Sequence, residues 1–319
     1  MKQRKLRALE VSAIGYGAMG LSQGYIPTPG KAEAIRIIQQ TYDAGCTFFD
    51  TAAMYAMGTN EELIGEALKP MRDKVVIATK VMFQSSQPLS QLRTELENSL
   101  QRLGTDHVDL YYQHRVNKDI PAEEFAYAMG ELIKEGKILG WGQSQATVDE
   151  IRRAHAVTPL TAIQSEYSIM ARQFEKDVIP VCEELNIGFV PFSPLANGFL
   201  SGKVTANDQY TGKDARRVIT RFSTENIVAN QPLLNLIHQF ATAKEATPAQ
   251  ISLAWMLHKK DFIVPIPGSR SITRIEENLQ AAAIELTDTE FNQIEAELAK
   301  ITIHGDRKDE DLAKLRTIE

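Results

Sequence analysis

The feature that most constrains this chain is the alternation of short β-branched runs with segments of helical period. The runs 75-VVIATK-80, 108-VDLYYQ-113, 187-IGFVPF-192 and 262-FIVPIP-267 read as strands. Between them apolar residues recur three and four positions apart. Leu89, Leu92, Leu96, Leu100 and Leu103, following Pro88, share one face of a helix. The sets Ile35/Ile38/Tyr42, Val148/Ile151/His155, Val178/Val181/Cys182/Leu185 and Ile272/Ile275/Leu279 repeat the pattern. Strand followed by helix, over and over, predicts parallel strands joined by crossover helices.

Eight such units can be placed, with strands near 13–17, 47–50, 75–80, 108–113, 138–142, 162–166, 187–191 and 262–265. That number predicts a closed α/β barrel, the (β/α)8 TIM-barrel architecture, as one domain over 1–319. The long gap before the last strand holds a Gly/Asn/Lys/Arg-rich stretch at about 197–224, expected as a loop over the barrel mouth. Helical segments are expected near 231–245 and 248–258, and one more through Phe291, Ile294 and Leu298. The rest of the tail, within 285–319, reads as a charged, frayed end.

In such a barrel the site lies at the C-terminal ends of the strands. The second strand ends in Phe48-Phe49-Asp50, the third in Thr79-Lys80, the fourth in Gln113-His114-Arg115, and Tyr55 follows Asp50 on the adjoining loop. Each has an ordinary reading: Asp50 before Thr51 as a helix N-cap, Lys80 as a solvated lysine, His114 as a satisfied polar side chain. An acid and two bases at three consecutive strand ends, with a tyrosine beside them, carry more weight together. A free tyrosine has a pKa of about 10, too high for an efficient acid at neutral pH. A lysine cation nearby favours the phenolate, and an aspartate holds the lysine in place and charged. A histidine near the tyrosine can orient a carbonyl oxygen. The set is suited to protonating an oxygen that gains charge, as hydride addition to C=O requires.

A competing motif lies in the first twenty residues. Gly15-Tyr16-Gly17-Ala18-Met19-Gly20 matches G-x-G-x-x-G literally. A dinucleotide-binding unit needs that motif to open a helix. Here Pro27 and Pro29 follow, and the first helix is expected only near Lys31. The stretch reads as a Gly-rich turn whose Gly17 and Met19 can still line a pocket.

Composition closes off other classes. With 43% hydrophobic and 24% charged residues the chain is neither disordered nor fibrous. A net charge of −6 and no basic run argue against a nucleic-acid partner. Lys2, Arg4, Lys5 and Arg7 precede no apolar stretch, so no signal peptide is read, and no window approaches a membrane span. Cys46 and Cys182 lie far apart with no metal-ligand spacing. They read as reduced thiols of a cytoplasmic protein, and no metal site is expected.

Longer stretches carry a resemblance over nearly the whole chain. They are 45-GCTFFDTAAMY-55 with 59-TNEELIGEAL-68, then 75-VVIATK-80, 93-RTELENSLQRLGTDHVDLYYQHRV-116, 130-GELIKEGKI-138, 187-IGFVPFSPLANGFLSGK-203 and 265-PIPGSRSITRIEENL-279. In order and spacing the chain resembles the aldo-keto reductases, and the branch related to pyridoxal and aryl-alcohol reductases in particular. The resemblance implies an NADP-dependent oxidoreductase. Asp50, Tyr55, Lys80 and His114 stand at its catalytic tetrad, with Tyr55 as general acid for reduction and base for alcohol oxidation.

It also implies a cofactor site. Ser144, Gln145 and Gln164 match the nicotinamide carboxamide ligands, with Gln145 in place of the family's usual Asn. Phe192 stands where many members stack a tyrosine on the nicotinamide. Ser193, Leu195, Asn197, Gly198 and Lys203 fall in the segment that wraps the pyrophosphate. Ser269, Arg270 and Arg274 match positions that grip a 2′-phosphate, and Glu277 and Asn278 match adenine contacts. Read from the residues, a helix start with two guanidinium forks makes a phosphate cradle. NADPH rather than NADH is therefore expected, though Gly268 replaces a lysine common in the family. Tyr25, Met54, Met82 and Phe83 are candidate walls for a small carbonyl substrate. Two other readings differ in outcome. A cofactor-binding regulatory subunit, like the potassium-channel β subunits that resemble this family, would bind NADPH without turnover. A lyase would form a borohydride-trappable adduct on Lys80.

Overall fold

Two strands pair before the alternation begins. In the structure, a computed structural model describing residues 1–83 and 89–313, β1 (Gln3–Leu6) and β2 (Leu9–Ser12) form an antiparallel hairpin with Leu6 opposite Leu9. The sequence reading starts its first strand at 13 and misses this element. Four-residue strands in a charged stretch leave too little alternation to see.

The parallel sheet follows the chain: β3 (Tyr16–Gly17), β4 (Phe48–Asp50), β5 (Val76–Val81), β6 (Val108–Gln113), β7 (Ile138–Ser144), β8 (Ala162–Glu166) and β9 (Gly188–Phe192), each beside the next. The crossover helices are α1 (Lys31–Asp43), α2 (Thr59–Leu68), α3 (Leu92–Leu103), α4 (Ala122–Lys134), α5 (Val148–Val157) and α6 (Val178–Glu184). The leucine stripe of α3 is buried at Leu92, Leu96, Leu100 and Leu103; Pro88 lies outside the described residues. The first helix starts at Lys31, and the Gly-rich stretch before it passes through a 3-10 turn at Ala18–Leu21. This is the turn expected of it, not a dinucleotide-binding helix.

The eighth strand, expected at 262–265, is an extended segment rather than a regular strand. It closes the ring all the same. Val264 and Ile266 donate from their N–H groups to Phe189 and Pro191 of β9, at 2.9 and 3.0 Å. On its other side it only accepts: Gly15 and Gly17 donate to the carbonyls of Pro265 and Pro267, at 2.9 and 3.4 Å. Pro265 and Pro267 have no N–H to return, so half of that ladder cannot form. The same shortage trims the first strand, expected at 13–17, to Tyr16–Gly17.

Side chains separate by a period of two. Phe48, Ala78, Leu110, Tyr112, Ala162, Val190, Val264 and Ile266 fill the barrel interior, while alternating neighbours such as Phe49, Ile77 and Tyr111 pack outward against the helices. Leu6 and Val11 of the hairpin join the interior set and plug the end opposite the strand C-termini. The fit is close: a Cβ on Gly188 would lie 2.4 Å from Leu6.

Beyond β9, the stretch expected as a mouth loop contains 3-10 turns at Ala196–Ser201, Ala215–Arg217 and Thr220–Phe222. Then come α7 (Thr224–Ala229), α8 (Gln231–Ala243), α9 (Pro248–Lys259), α10 (Ile272–Gln280), α11 (Asp288–Leu298) and α12 (Asp309–Ala313). The tail departs from the frayed end expected of it. Asn230 and His304 exchange two hydrogen bonds, 2.8 and 2.9 Å, and the Asp306 N–H donates to Thr220 Oγ1 at 2.9 Å. These bonds tie 304–306 to α7, α8 and the turn before them. Residues 314–319 lie outside the described part. No helix among the described residues is long and apolar enough to cross a membrane.

The plug carries a stability consequence. Leu6 is fully buried, so Leu6→Ala leaves a cavity at the foot of the barrel. We expect a loss of about 2–5 kcal/mol, read as a lower urea midpoint with unchanged m-value.

Candidate active site

The period of two that fills the interior continues to the strand ends. From Phe48 it reaches Asp50, from Ala78 it reaches Lys80, from Leu110 and Tyr112 it reaches His114, from Ala162 it reaches Gln164 and Glu166, and from Val190 it reaches Phe192. One geometric rule thus gathers these side chains in the mouth.

Asp50, Lys80 and His114 are 2%, 1% and 7% exposed. The Lys80 ammonium donates to Asp50 Oδ1 and to the Thr51 carbonyl, the latter at 2.8 Å. Gln164 Nε2 donates to the other carboxylate oxygen at 2.7 Å. Lys80 Nζ lies 5.2 Å from the centre of the Tyr55 ring. Burial works against the Lys80 charge, but Asp50 and Tyr55 outweigh it and hold the ammonium above the ordinary lysine pKa. Burial pushes the Asp50 carboxyl up, opposed by Lys80 and Gln164. His114 meets Tyr55 edge to face, with ring centres 5.8 Å apart. Burial, then the Lys80 and Arg115 cations, push the His114 pKa well below its ordinary value. The imidazole is therefore neutral at pH 7, and its buried Nδ1 has no partner.

Tyr55 owes its position to a strained turn. Ala56 and Met57 adopt φ of 48° and 53°, and Gly58 follows at 91°. Left-handed backbone is costly for Ala and Met, so the surroundings must enforce it. Gln23 Oε1 accepts from the Ala56 N–H at 2.8 Å. Asn60 donates to the Ala18 carbonyl and to Ser22 Oγ, at 3.0 and 2.8 Å, and Thr51 Oγ1 donates to it at 2.7 Å. Fully buried Glu61 accepts from Thr79 Oγ1 at 2.5 Å and from Arg102 Nε at 2.6 Å. Arg102 lies against Gly58, where any Cβ would fall 2.5 Å from its Cδ. Asn60, Glu61 and Arg102 form a support that the strand-end reading does not single out. Their signal was the 59-TNEELIGEAL-68 stretch, legible as a pattern but not as contacts.

The other expected residues are spread around the mouth. Ser144 ends β7 with Gln145 beyond it at φ 60°, and Ser193 follows Phe192 at φ 49°. Asn197 and Gly198 continue left-handed at 59° and 97°, with Leu195 half-buried before them and Lys203 exposed beyond. The Tyr16 hydroxyl donates to the Ser269 carbonyl at 2.7 Å. Arg270 donates to the Tyr25 and Pro27 carbonyls, and Arg274 is exposed in the first turn of α10. Ser269 and Arg270 precede that helix rather than start it. Thr247 Oγ1 donates to Glu277 at 2.8 Å, and Asn278 is buried beside it.

Of the substrate-wall candidates, Tyr25 accepts from Asn197 Nδ2 at 2.8 Å, and the Arg216 guanidinium lies 5.5 Å from its ring centre. Tyr25 thus joins the loop after β3 to the segment after β9. Gly17, Met19, Met54 and Met82 are half-buried. Phe83 turns into the core, edge-on to Phe125 at 5.8 Å.

The aldo/keto reductase family model matches residues 13–299. A probable aldo-keto reductase 1 from Glycine max is 39% identical over 298 residues, covering 90% of this chain and 86% of the relative. The aldo/keto reductase of Klebsiella pneumoniae, solved in complex with NADP and acetate, superposes with a TM-score of 0.75 at 28% identity, covering 97% of this chain and 99% of that one. The glycerol dehydrogenase of Gluconobacter oxydans shares the fold with a TM-score of 0.86 at 24% identity, covering 95% of this chain and 96% of that one.

The buried neutral histidine links stability to pH. The unfolded chain takes up a proton on His114 near pH 6.5 that the folded chain refuses. The stability involved is present above that pH and is lost as pH falls below it, approaching ~1.4 kcal/mol per pH unit for one proton. Comparing urea midpoints at pH 7.5 and 5.5, we expect the wild type to lose more stability than His114→Gln.

Proposed function

The chain belongs to the aldo/keto reductase family, and from that premise we propose that it transfers hydride between NADPH and the carbonyl of an aldehyde or ketone, reversibly, within one barrel domain spanning 1–319. The observation that carries this reading is the buried Lys80 ammonium, bonded to Asp50 and set over the Tyr55 ring, with neutral His114 meeting that ring edge to face.

The residues present fit a nicotinamide dinucleotide. Gln164 gives its N–H to Asp50, so its amide oxygen is the end open to a carboxamide. Asn197 Oδ1 is buried without a partner. Ser144, Gln145 and Gln164 would hold the carboxamide and Phe192 the ring face. Ser193, Leu195, Asn197, Gly198 and Lys203 would hold the pyrophosphate, Ser269, Arg270 and Arg274 the 2′-phosphate, and Glu277 and Asn278 the adenine. When bound, the cofactor supplies or accepts the hydride.

The chain's own groups handle the proton. The Tyr55 hydroxyl donates to the carbonyl oxygen as charge develops there, and the Lys80 cation stabilises the phenolate left behind. Asp50 keeps Lys80 aimed and charged. Neutral His114 can hydrogen-bond the same oxygen without competing for the proton. In alcohol oxidation the roles reverse and Tyr55 is the base.

The test follows NADPH absorbance across a panel of aromatic and aliphatic aldehydes. We expect turnover by the wild type. Tyr55→Phe should lose about 10²–10⁴ in kcat while still binding NADPH by fluorescence titration. Full activity in that variant would overturn the mechanism, and NADPH binding with no turnover on any carbonyl would favour a regulatory subunit. Arg274→Ala should raise KM for NADPH about tenfold, equivalent to ~1.4 kcal/mol, and leave KM for NADH unchanged.

A further inference from the structure

The mouth holds a second charged cluster that carbonyl reduction does not require. Arg115 follows His114 directly, and its side chain lies across the ends of β6 and β7. Its Nη1 donates to the His114 carbonyl at 2.7 Å and to Ser144 Oγ at 3.2 Å. Its Nε donates to Asp309 Oδ2 at 2.8 Å. A carboxylate is thus already seated on the arginine that follows His114, and the C-terminal segment supplies it.

Acidic and basic side chains crowd around that pair. Arg221 and Arg307 both face Glu166, at 3.4 and 3.7 Å, and Arg307 also reaches Asp309 at 3.4 Å. Arg307 lies over Phe192, 5.0 Å from the ring centre. Asp306 pairs with Lys308 at 3.1 Å and also faces Arg221. Arg115, Arg221 and Arg307 thus share Glu166, Asp309 and Asp306, and buried Arg221 Nε has no hydrogen-bond partner. The residues suited to the cofactor's phosphates lie elsewhere, with Asn197 and around Ser269–Arg274. Asp309 itself is half solvent-exposed on a five-residue helix, so its hold on Arg115 is exchangeable.

We propose that Arg115 anchors an anionic group on the substrate, so that carbonyl compounds carrying a carboxylate are preferred, with Asp309 occupying the anchor until such a substrate displaces it. A substrate carboxylate on Arg115 takes over the charge-assisted bond that Asp309 makes. The carbonyl, at the far end of a small molecule, then reaches Tyr55 and His114. The C-terminal segment acts as an internal competitor and selects for charge. This inference rests on the reductase reading above.

The test compares 4-carboxybenzaldehyde with methyl 4-formylbenzoate, which has a similar carbonyl but no charge. In the wild-type chain with NADPH we expect kcat/KM about tenfold higher for the acid. Asp309→Asn should raise kcat/KM for the acid about threefold or more, through KM, and leave the ester unchanged. Arg115→Gln should abolish the preference while still reducing the ester. Equal rates on the two aldehydes, or an equal gain on both in Asp309→Asn, would overturn the inference and leave the reductase reading standing. No turnover on either, nor on any other carbonyl of the panel, would overturn both.

Discussion

The arrangement of the mouth depends on one buried contact, the ion pair between Lys80 and Asp50. Both groups are almost wholly removed from water, and desolvating two charges costs more than an exposed pair could return. The pair persists because the strand ends leave neither charge short of partners. Asp50 takes bonds from Lys80 and Gln164, and Lys80 also donates to the Thr51 carbonyl. Such a pair contributes little as a stabiliser. What it supplies is a cation locked beneath the Tyr55 ring, in a site too dry to screen it.

That cation needs a rigid frame. Closure of the sheet fixes the distances between strand ends, and closure here rests on an imperfect eighth segment. Pro265 and Pro267 accept from Gly15 and Gly17 but return nothing, so the seam between the first and last units has the sparsest backbone ladder. Side-chain packing makes up the difference. Val264 and Ile266 point into the interior, and the hairpin's Leu6 and Val11 fill the foot of the barrel below them. The stability of the lower end thereby supports the geometry of the upper one.

The segments over the mouth are held both by the core, where Phe199, Leu200, Ile219 and Phe222 are buried and Phe199 and Tyr210 meet Phe222 edge-on, and by polar contacts. Tyr25 meets Asn197 and Arg216, Asn230 meets His304, and Arg115 meets Asp309. Of these, the partly exposed Arg115–Asp309 pair opens at low cost. The Lys80–Asp50 pair and its supports at Asn60 and Glu61, by contrast, are buried and stay in place.

Much of this was legible in the residues. Strand–helix alternation implied the barrel, and alternation within each strand implied that Asp50, Lys80 and His114 face the mouth, because both follow from backbone periodicity and burial. Contacts between distant parts of the chain were not legible. A hairpin of two four-residue strands leaves no periodic trace, and a charged tail reads the same whether frayed or folded back. No local pattern records that Glu61 meets Arg102, that Tyr25 is claimed by Asn197 or that Asp309 rests on Arg115. The sequence by itself determined the order of the elements and which side chains they turn inward. Only the tertiary structure decided which charges meet, because ion pairing depends on distances in space that barrel closure sets.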